Sequence, residues 1–380
     1  MVQLLNTSET IMPGQDEQQL RVSAHRKQAE NPVRVGWRAP SNIALVKYWG
    51  KKARQLPENG SLSITLDRSA TTTFLTFREK DHPNAAIDME YYFQGKTHPQ
   101  FERKASLLLD SLLAEMPFLT GYQLIFQSEN NFPHSAGIAS SASSMAALAL
   151  CLVSMEEMVT KKKLHSDDFF RRASVIARYG SGSASRSVYG GIVSWGRMAV
   201  IGQSSDEYAT PFPLNKESRL NQIRDIILIV SKAEKAVSSS SGHARMTDHP
   251  YRTGRKVQAN ANLHKIAEAI DQNNYQALAE IAENEALSLH ALLLSSADGI
   301  LLLKPETLRI IEEIRRFREE SGLDLFFTID AGPNVHLIYF EDQREMILPF
   351  VQHTLSQYCE DGQWIDDRIG NGPQLLTPVI

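Results

Sequence analysis

Four short stretches of this sequence place ionisable or hydroxyl-bearing residues beside small ones that let a ligand approach the backbone. In "APSNIALVKYWGKK" (39–52), an asparagine, three lysines and two aromatic residues suit recognition of a polyanion. Lys47 continues an apolar strand pattern and is flanked by Val46, Tyr48 and Trp49, so its ammonium is expected to be partly buried and to need an anionic partner. A solvated basic turn is the plainer alternative. In "NFPHSAGIASSASS" (131–144), Pro133 ends a strand and small residues lead into a helix from near Ser143. The N–H groups and dipole of a helix start favour an anion, and serine hydroxyls add donors or a magnesium ligand. Capping and close packing of small residues would give the same sequence. The stretch has neither the Gly-Lys-Ser/Thr of a Walker loop nor a GxGxxG.

In "YGSGSASRSVYGG" (179–191), Ser181, Gly182, Ser183, Ser185 and Arg186 lie between a helix and a strand. Hydroxyl and backbone donors converging on one guanidinium would bind phosphate or carboxylate, the arginine bidentately. A flexible Gly/Ser turn is the alternative. In "FTIDAGPNVHLIYF" (327–340), Asp330 ends an apolar strand at a sharp Ala-Gly-Pro turn. Aspartate stabilises turns, and an aspartate at a buried strand end facing a cleft is also placed as a general base.

Elements of both kinds must hold these stretches. The pattern predicts a strand from about residue 33 with a turn at Ala39-Pro40, a strand or hairpin over 61–77, and strands over 86–95 and 122–132. Helices are predicted over 101–116 and 143–159, and from 166 with Ser166 as N-cap. The polar run 202–218 is the best candidate for a domain junction. Beyond it come a strand at 224–231, helical patterns around 254–295 and 305–321, and a strand–turn–strand at 324–340. Strands and helices mix in both halves without regular βαβ alternation, which predicts an α+β fold in two lobes. The expected division is a polar extension over 1–30, a first lobe over 31–205 and a second over 206–380.

The 380 residues suit two domains; 42% are hydrophobic and 22% charged, the balance of a soluble globular protein. A net charge of −4 gives no whole-molecule attraction to nucleic acid or to an anionic membrane. Apolar runs such as "ALLLSSADGILLL" are interrupted by Ser, Asp and Gly and fall short of a membrane span. The first residues lack the basic start and long apolar core of a secretory signal. Cys151 and Cys359 have no pairing or metal-ligand spacing, which predicts free thiols in a reducing, cytoplasmic setting.

Taken together and in this order, the four stretches closely resemble motifs of the diphosphomevalonate decarboxylases, members of the GHMP kinase superfamily. The family's "APxNIAxxKYWGK" stands here as residues 39–51, its "PxxAGLASSAA" as 133–143, its "SGSAxRSxYGG" as 181–191 and its "DAGPN" as 330–334. "VSSSSGH" (237–243) is similar to a further family stretch, "VSSxxGM", beside the nucleotide. The match runs from about residue 33 into the second lobe. The resemblance implies a first lobe like the second domain of ribosomal protein S5, a ferredoxin-like second lobe, and an active site in the cleft between them. It also implies ATP and magnesium as cofactors, mevalonate 5-diphosphate as substrate, isopentenyl diphosphate as product and a homodimer. By resemblance Asp330 would accept or orient a hydroxyl proton, Lys47 would hold that carboxylate ionised, and Arg186 would orient the substrate carboxylate. Tyr48, Lys51, Ser181 and Ser183 would contact the diphosphate, with Arg103 a weaker match. Pro133, Ser135, Ala136, Gly137, Ala139, Ser140, Ser141 and Ser239 would hold ATP, with Ser140 or Ser141 on magnesium.

Three features depart from the family. His243 stands for the usual Met, and the following "ARMTDHPYRTGR" is divergent. His243, His249, Arg252 and Arg255 either line a modified site or, as is commoner for such residues on a loop, are solvated. Ser185 replaces a frequent Cys as a packing change, and His290 is read as structural. On the same scaffold a phosphomevalonate decarboxylase, a mevalonate 3-kinase or a silent nucleotide-binding protein are the rival outcomes. Asp330, Lys47 and Arg186 together favour the full reaction.

Overall fold

The computed structural model describes residues 32–82, 86–133, 138–199, 201–233 and 239–376, so the extension 1–30 lies outside it. Two long antiparallel strands, β1 (Val33–Val46) and β2 (Ser61–Glu79), open the first lobe. The expected turn at Ala39-Pro40 does not form. β1 runs through it, with a register irregularity between Pro40 and Asn42 that accommodates the missing N–H. β2 is one strand rather than a hairpin, because its Thr-rich middle alternates faces without a turn residue.

Next come β3 (Asp88–Phe93), β4 (Lys96–Thr97), α1 (Pro99–Leu112) and β5 (Tyr122–Asn130). α1 buries Phe101, Ala105, Leu108, Leu109 and Leu112, one stripe at helical spacing. α2 (Ser140–Thr160) starts three residues earlier than the sequence suggested and is followed by α3 (Ser166–Gly180). Ser166 is the first helical residue of α3 rather than its cap; His165 takes that place, without a side-chain bond. A 3₁₀ segment (Gly182–Val188) then leads to β6 (Ile192–Trp195) and β7 (Ala209–Pro211).

By length and composition α2 would cross a membrane, with 21 residues and a mean hydropathy of 1.4, which corrects the expectation that every apolar stretch falls short. Its place is the lobe's own core. Every residue from Ala142 to Met155 is buried, against β1, β2 and α3, as befits a helix apolar all round.

The second lobe comprises β8 (Ile223–Leu228), α4 (Ser239–Ala244), α5 (Arg252–Asp271), α6 (Tyr275–Leu294), α7 (Pro305–Ser321), β9 (Phe326–Thr328), β10 (Val335–Phe340), α8 (Arg344–Phe350) and β11 (Trp364–Arg368). The single helical pattern expected over 254–295 is two helices. Asn273 adopts a left-handed φ of 52°, and the Asn274 side chain accepts from the Ala277 N–H at 3.1 Å to start α6. Finally β12 (Gln374–Leu376) returns to the first lobe and pairs with β1. The first sheet runs β12-β1-β2-β5-β3-β4, with β6 on β2 and β7 on β6; the second runs β11-β8-β10-β9. This is the expected two-lobed α+β fold.

Apolar packing joins the lobes. Ile43, Leu45, Leu62 and Ile64 of the first sheet share one core cluster with Ile227, Leu263, Phe326 and Ile338 of the second lobe. The Asp367 carboxylate of β11 adds a polar tie, accepting from the Asp67, Arg68 and Ser69 N–H groups of β2 at 3.0, 2.7 and 2.6 Å.

Candidate active site

Lys47 follows the last residue of β1, where the strand meets the second lobe. Its side chain is 2% exposed, and its Nζ donates to Asp330 Oδ1 at 2.8 Å. Burial lowers the lysine pKa, while Asp330 and Glu285 oppose that shift. The Asp330 side chain remains 26% exposed, against 2% for Lys47.

The turn that presents Asp330 is pinned from several elements. His290 Nε2 of α6 donates to the Asp330 carbonyl at 3.1 Å, and Thr307 Oγ1 of α7 to the Pro333 carbonyl at 2.7 Å. Asn334 pairs with Ser231 beyond β8, accepting from its N–H at 2.8 Å and donating to its carbonyl at 3.0 Å. His290 is therefore structural, as expected, with the peptide of Asp330 as its target.

Arg186 lies in the 3₁₀ segment, 3% exposed. It donates from Nε to Asn42 Oδ1 at 3.2 Å and from Nη1 to Ser61 Oγ. Burial brings its pKa down to about 10, opposed first by Asp330. Its electrostatic coupling to both Asp330 and Lys47 places three charges at one locus between the lobes.

Tyr48 is buried against Trp195, ring centroids 4.7 Å apart, and its phenol pKa is raised by burial. The absent side chain of Gly182 makes this possible: a Cβ there would sit 2.8 Å from Tyr48 Oη. Lys51 is half-buried with its pKa lowered to about 8, first by burial and then by the neighbouring Lys104 ammonium. The weaker candidate Arg103 is exposed on α1; the cation that α1 brings toward Lys51 is Lys104, which the sequence reading passed over.

At the head of α2, Ala139 takes a left-handed φ of 47° and caps the helix. Ser140 is buried, and Ser141 Oγ lies 3.5 Å from Ser181 Oγ. The hydroxyls of the second and third stretches thus meet at one helix start. Ser183 is half-buried beside them, its carbonyl accepting from Asn42 Nδ2 at 3.3 Å. Pro133 is half-buried after β5, which ends earlier, at Asn130. Ser135, Ala136 and Gly137 lie outside the described residues, as does the side chain of Ser239, the first residue of α4. Ser185 is buried and donates to the Gly182 carbonyl at 2.8 Å.

The divergent segment differs most from the solvated loop described above. His243 is buried between the rings of Tyr48 and Trp49, at 4.4 and 4.5 Å, and its Nδ1 accepts from the Gly50 N–H at 3.1 Å. Burial and Lys51 push its pKa well down, so it is a neutral ring carrying its proton on Nε2. His249 is buried and bonds the Leu292 carbonyl. Arg252 pairs with Glu58, and Arg255 is buried against Glu285. All four residues pack toward 47–58 or the helix that supports it. Polar spacing alone gave no signal for this, because their partners lie far along the chain.

Family models match the chain as a "Diphosphomevalonate decarboxylase-like N-terminal domain" over residues 39–207 and a "Mevalonate 5-diphosphate decarboxylase C-terminal domain" over 225–372. A diphosphomevalonate decarboxylase of Gibberella zeae is 32% identical over 328 residues, 83% of each chain. The chain belongs to the diphosphomevalonate decarboxylase family. Among solved structures of this family, the Enterococcus faecalis enzyme, described for mevalonate diphosphate-mediated ATP binding, superposes with a TM-score of 0.75 at 29% identity. It covers 92% of this chain and is itself covered completely. A complex with MVAPP, AMPPCP and magnesium superposes at 0.77, with the same identity and coverage. The Staphylococcus aureus enzyme gives a TM-score of 0.77 at 27% identity, covering 92% of this chain and 99% of that one.

Proposed function

We propose that the protein is an ATP-dependent diphosphomevalonate decarboxylase of the mevalonate pathway. It converts mevalonate 5-diphosphate to isopentenyl diphosphate, with ADP, phosphate and carbon dioxide as the other products. The observation that carries this reading is the 2.8 Å contact between Lys47 Nζ and Asp330 Oδ1 at the lobe junction, with buried Arg186 coupled to both.

The Asp330 carboxylate orients the tertiary 3-hydroxyl and takes its proton as the oxygen attacks the γ-phosphorus of ATP. Lys47 balances negative charge as it gathers there. Arg186 holds the substrate carboxylate in line, so that breaking the C–C bond supplies the electrons that expel phosphate and form the double bond. Tyr48, Lys51, Ser181 and Ser183 are assigned to the diphosphate, and the head of α2 to the phosphates of ATP.

The donor set there fits the nucleotide and its metal. Two serine hydroxyls meet at a helix start, while no group of three His, Cys, Asp or Glu side chains among the described residues competes to cage a cation. Magnesium, held by Ser140 or Ser141 together with phosphate oxygens and water, would neutralise phosphate charge. The buried free thiols Cys151 and Cys359 support a cytoplasmic setting. A homodimer completes the reading and is checked by light scattering.

One assay tests it. Purified protein with magnesium-ATP is given mevalonate 5-diphosphate or the 5-monophosphate, and ADP and carbon dioxide are followed together. Equal release of both from the diphosphate is expected. ADP alone would indicate a 3-kinase, preference for the monophosphate a phosphomevalonate decarboxylase, and neither product a silent binder.

A further inference from the structure

We propose that helix α6 acts as a caliper for the catalytic pair, with Glu285 and His290 gripping the peptides of Lys47 and Asp330 and Arg255 closing the grip on the lysine. Glu285 Oε2 accepts from the Lys47 N–H at 2.9 Å. The Lys47 carbonyl accepts from Arg255 Nη2 of α5 at 3.1 Å and from Asn59 Nδ2 at 2.9 Å. Five residues along α6 from Glu285, His290 donates to the Asp330 carbonyl at 3.1 Å. A helix rises about 1.5 Å per residue, so these two grips are held a fixed distance apart on one rigid rod.

The arrangement follows from where β1 stops. Beyond Val46 the strand ladder no longer serves Lys47, yet the residue is buried, and buried peptide groups need partners. The second lobe supplies them as side chains. Glu285 is saturated: besides Lys47 it accepts from Arg255 Nη1 and Nη2 at 2.7 and 2.5 Å and from Asn262 Nδ2 at 2.6 Å, and it is 0% exposed. A buried ion pair is a costly way to join two helices when apolar residues would serve as well. Here its polar ends do something apolar residues could not, because they bind both polar groups of the lysine's own peptide. Glu285 also places a negative charge near the ammonium, which is acted on by Asp330, Glu285 and Arg186, while Arg255 meets the lysine's carbonyl.

This rests on the proposed decarboxylation, and two variants test it. Glu285→Gln keeps the shape of the side chain and removes its charge; Arg255→Lys keeps charge and removes the fork. Thermal melting establishes folding, and hydrogen exchange read on the peptide spanning Lys47–Gly50 reports the grip independently of turnover. Faster exchange confined to that peptide is expected in both variants. Turnover is expected to fall at least about tenfold, with both KM values within about threefold, as for a misplaced catalytic group. In Glu285→Gln the alkaline limb of kcat should also move to lower pH, because the lysine loses a neighbour that favours its charged form; in Arg255→Lys the limb should stay. Folded variants with unchanged kcat, an unmoved limb and unchanged local exchange would overturn the caliper. If Glu285→Gln does not fold, Arg255→Lys decides by turnover and local exchange, and unchanged values of both would overturn the caliper. A wild-type protein that releases no carbon dioxide would sink the activity reading, and local exchange would then decide the grip alone.

Discussion

Lys47 meets one carboxylate on each side, and the two differ in a way that fits the proposed split between reacting and holding. Asp330 binds its ammonium and stays 26% exposed. Glu285 binds its peptide N–H and is sealed, with every contact given to protein donors. Charge is the same in both. What differs is exposure, 26% for the Asp330 side chain against 0% for Glu285, so only one of the two carboxylates is reached by solvent.

The largest test of that contrast is Asp330→Asn. It should lower kcat about a thousandfold while ATP affinity, followed by fluorescence titration, changes less than about threefold. Near-normal turnover would end the distinction. Lys47→Met should cost about a hundredfold in kcat. Its melting temperature should hold within about 3 °C, since an apolar stem replaces a desolvated ammonium and Asp330 can turn to water. A collapse in melting temperature would show that the cleft-side contact holds structure after all. On the sealed side, Asn59→Ala removes the second donor to the Lys47 carbonyl and should destabilise by about 1–2 kcal/mol in urea titration, with kcat down about threefold to tenfold.

The smallest effect concerns the diphosphate end. Lys51 is depressed to about 8, so its charge is lost as pH rises through that value, and kcat/KM for the diphosphate substrate should fall above about pH 8. Lys104→Met removes the repelling ammonium, raises the Lys51 pKa and should move that limb to higher pH. A limb unmoved by this change would leave burial as the whole cause.

The sequence made the residues proposed to react legible and left their supports hidden. Lys47 and Asp330 stand in short motifs whose polar residues interrupt apolar strands, and such an interruption is visible without a structure. The charge partner foreseen for Lys47 is Asp330, 283 positions away. Glu285 and Arg255 gave no comparable sign, because a charged residue on a helix reads as a solvated face until the facing helix is known. The approach of Lys104 to Lys51 was equally silent, because residues on α1 and beyond β1 meet only through tertiary packing. Local signals failed where the sheet overruled them, as at Ala39-Pro40, and succeeded where burial and periodicity agreed, as in α1 and α7.

The strand that completes the edge of β1 is β12, almost the last segment described, which pairs with Gly36–Arg38 on the side away from β2. The first lobe therefore cannot be cut out as a continuous piece. A fragment ending near residue 218 would bare a strand edge and leave the Asp67–Ser69 amides without Asp367. In a cell, the first sheet would stay unfinished until residue 376 had been translated. A nascent chain stalled partway would carry an open, sticky edge for chaperones to cover.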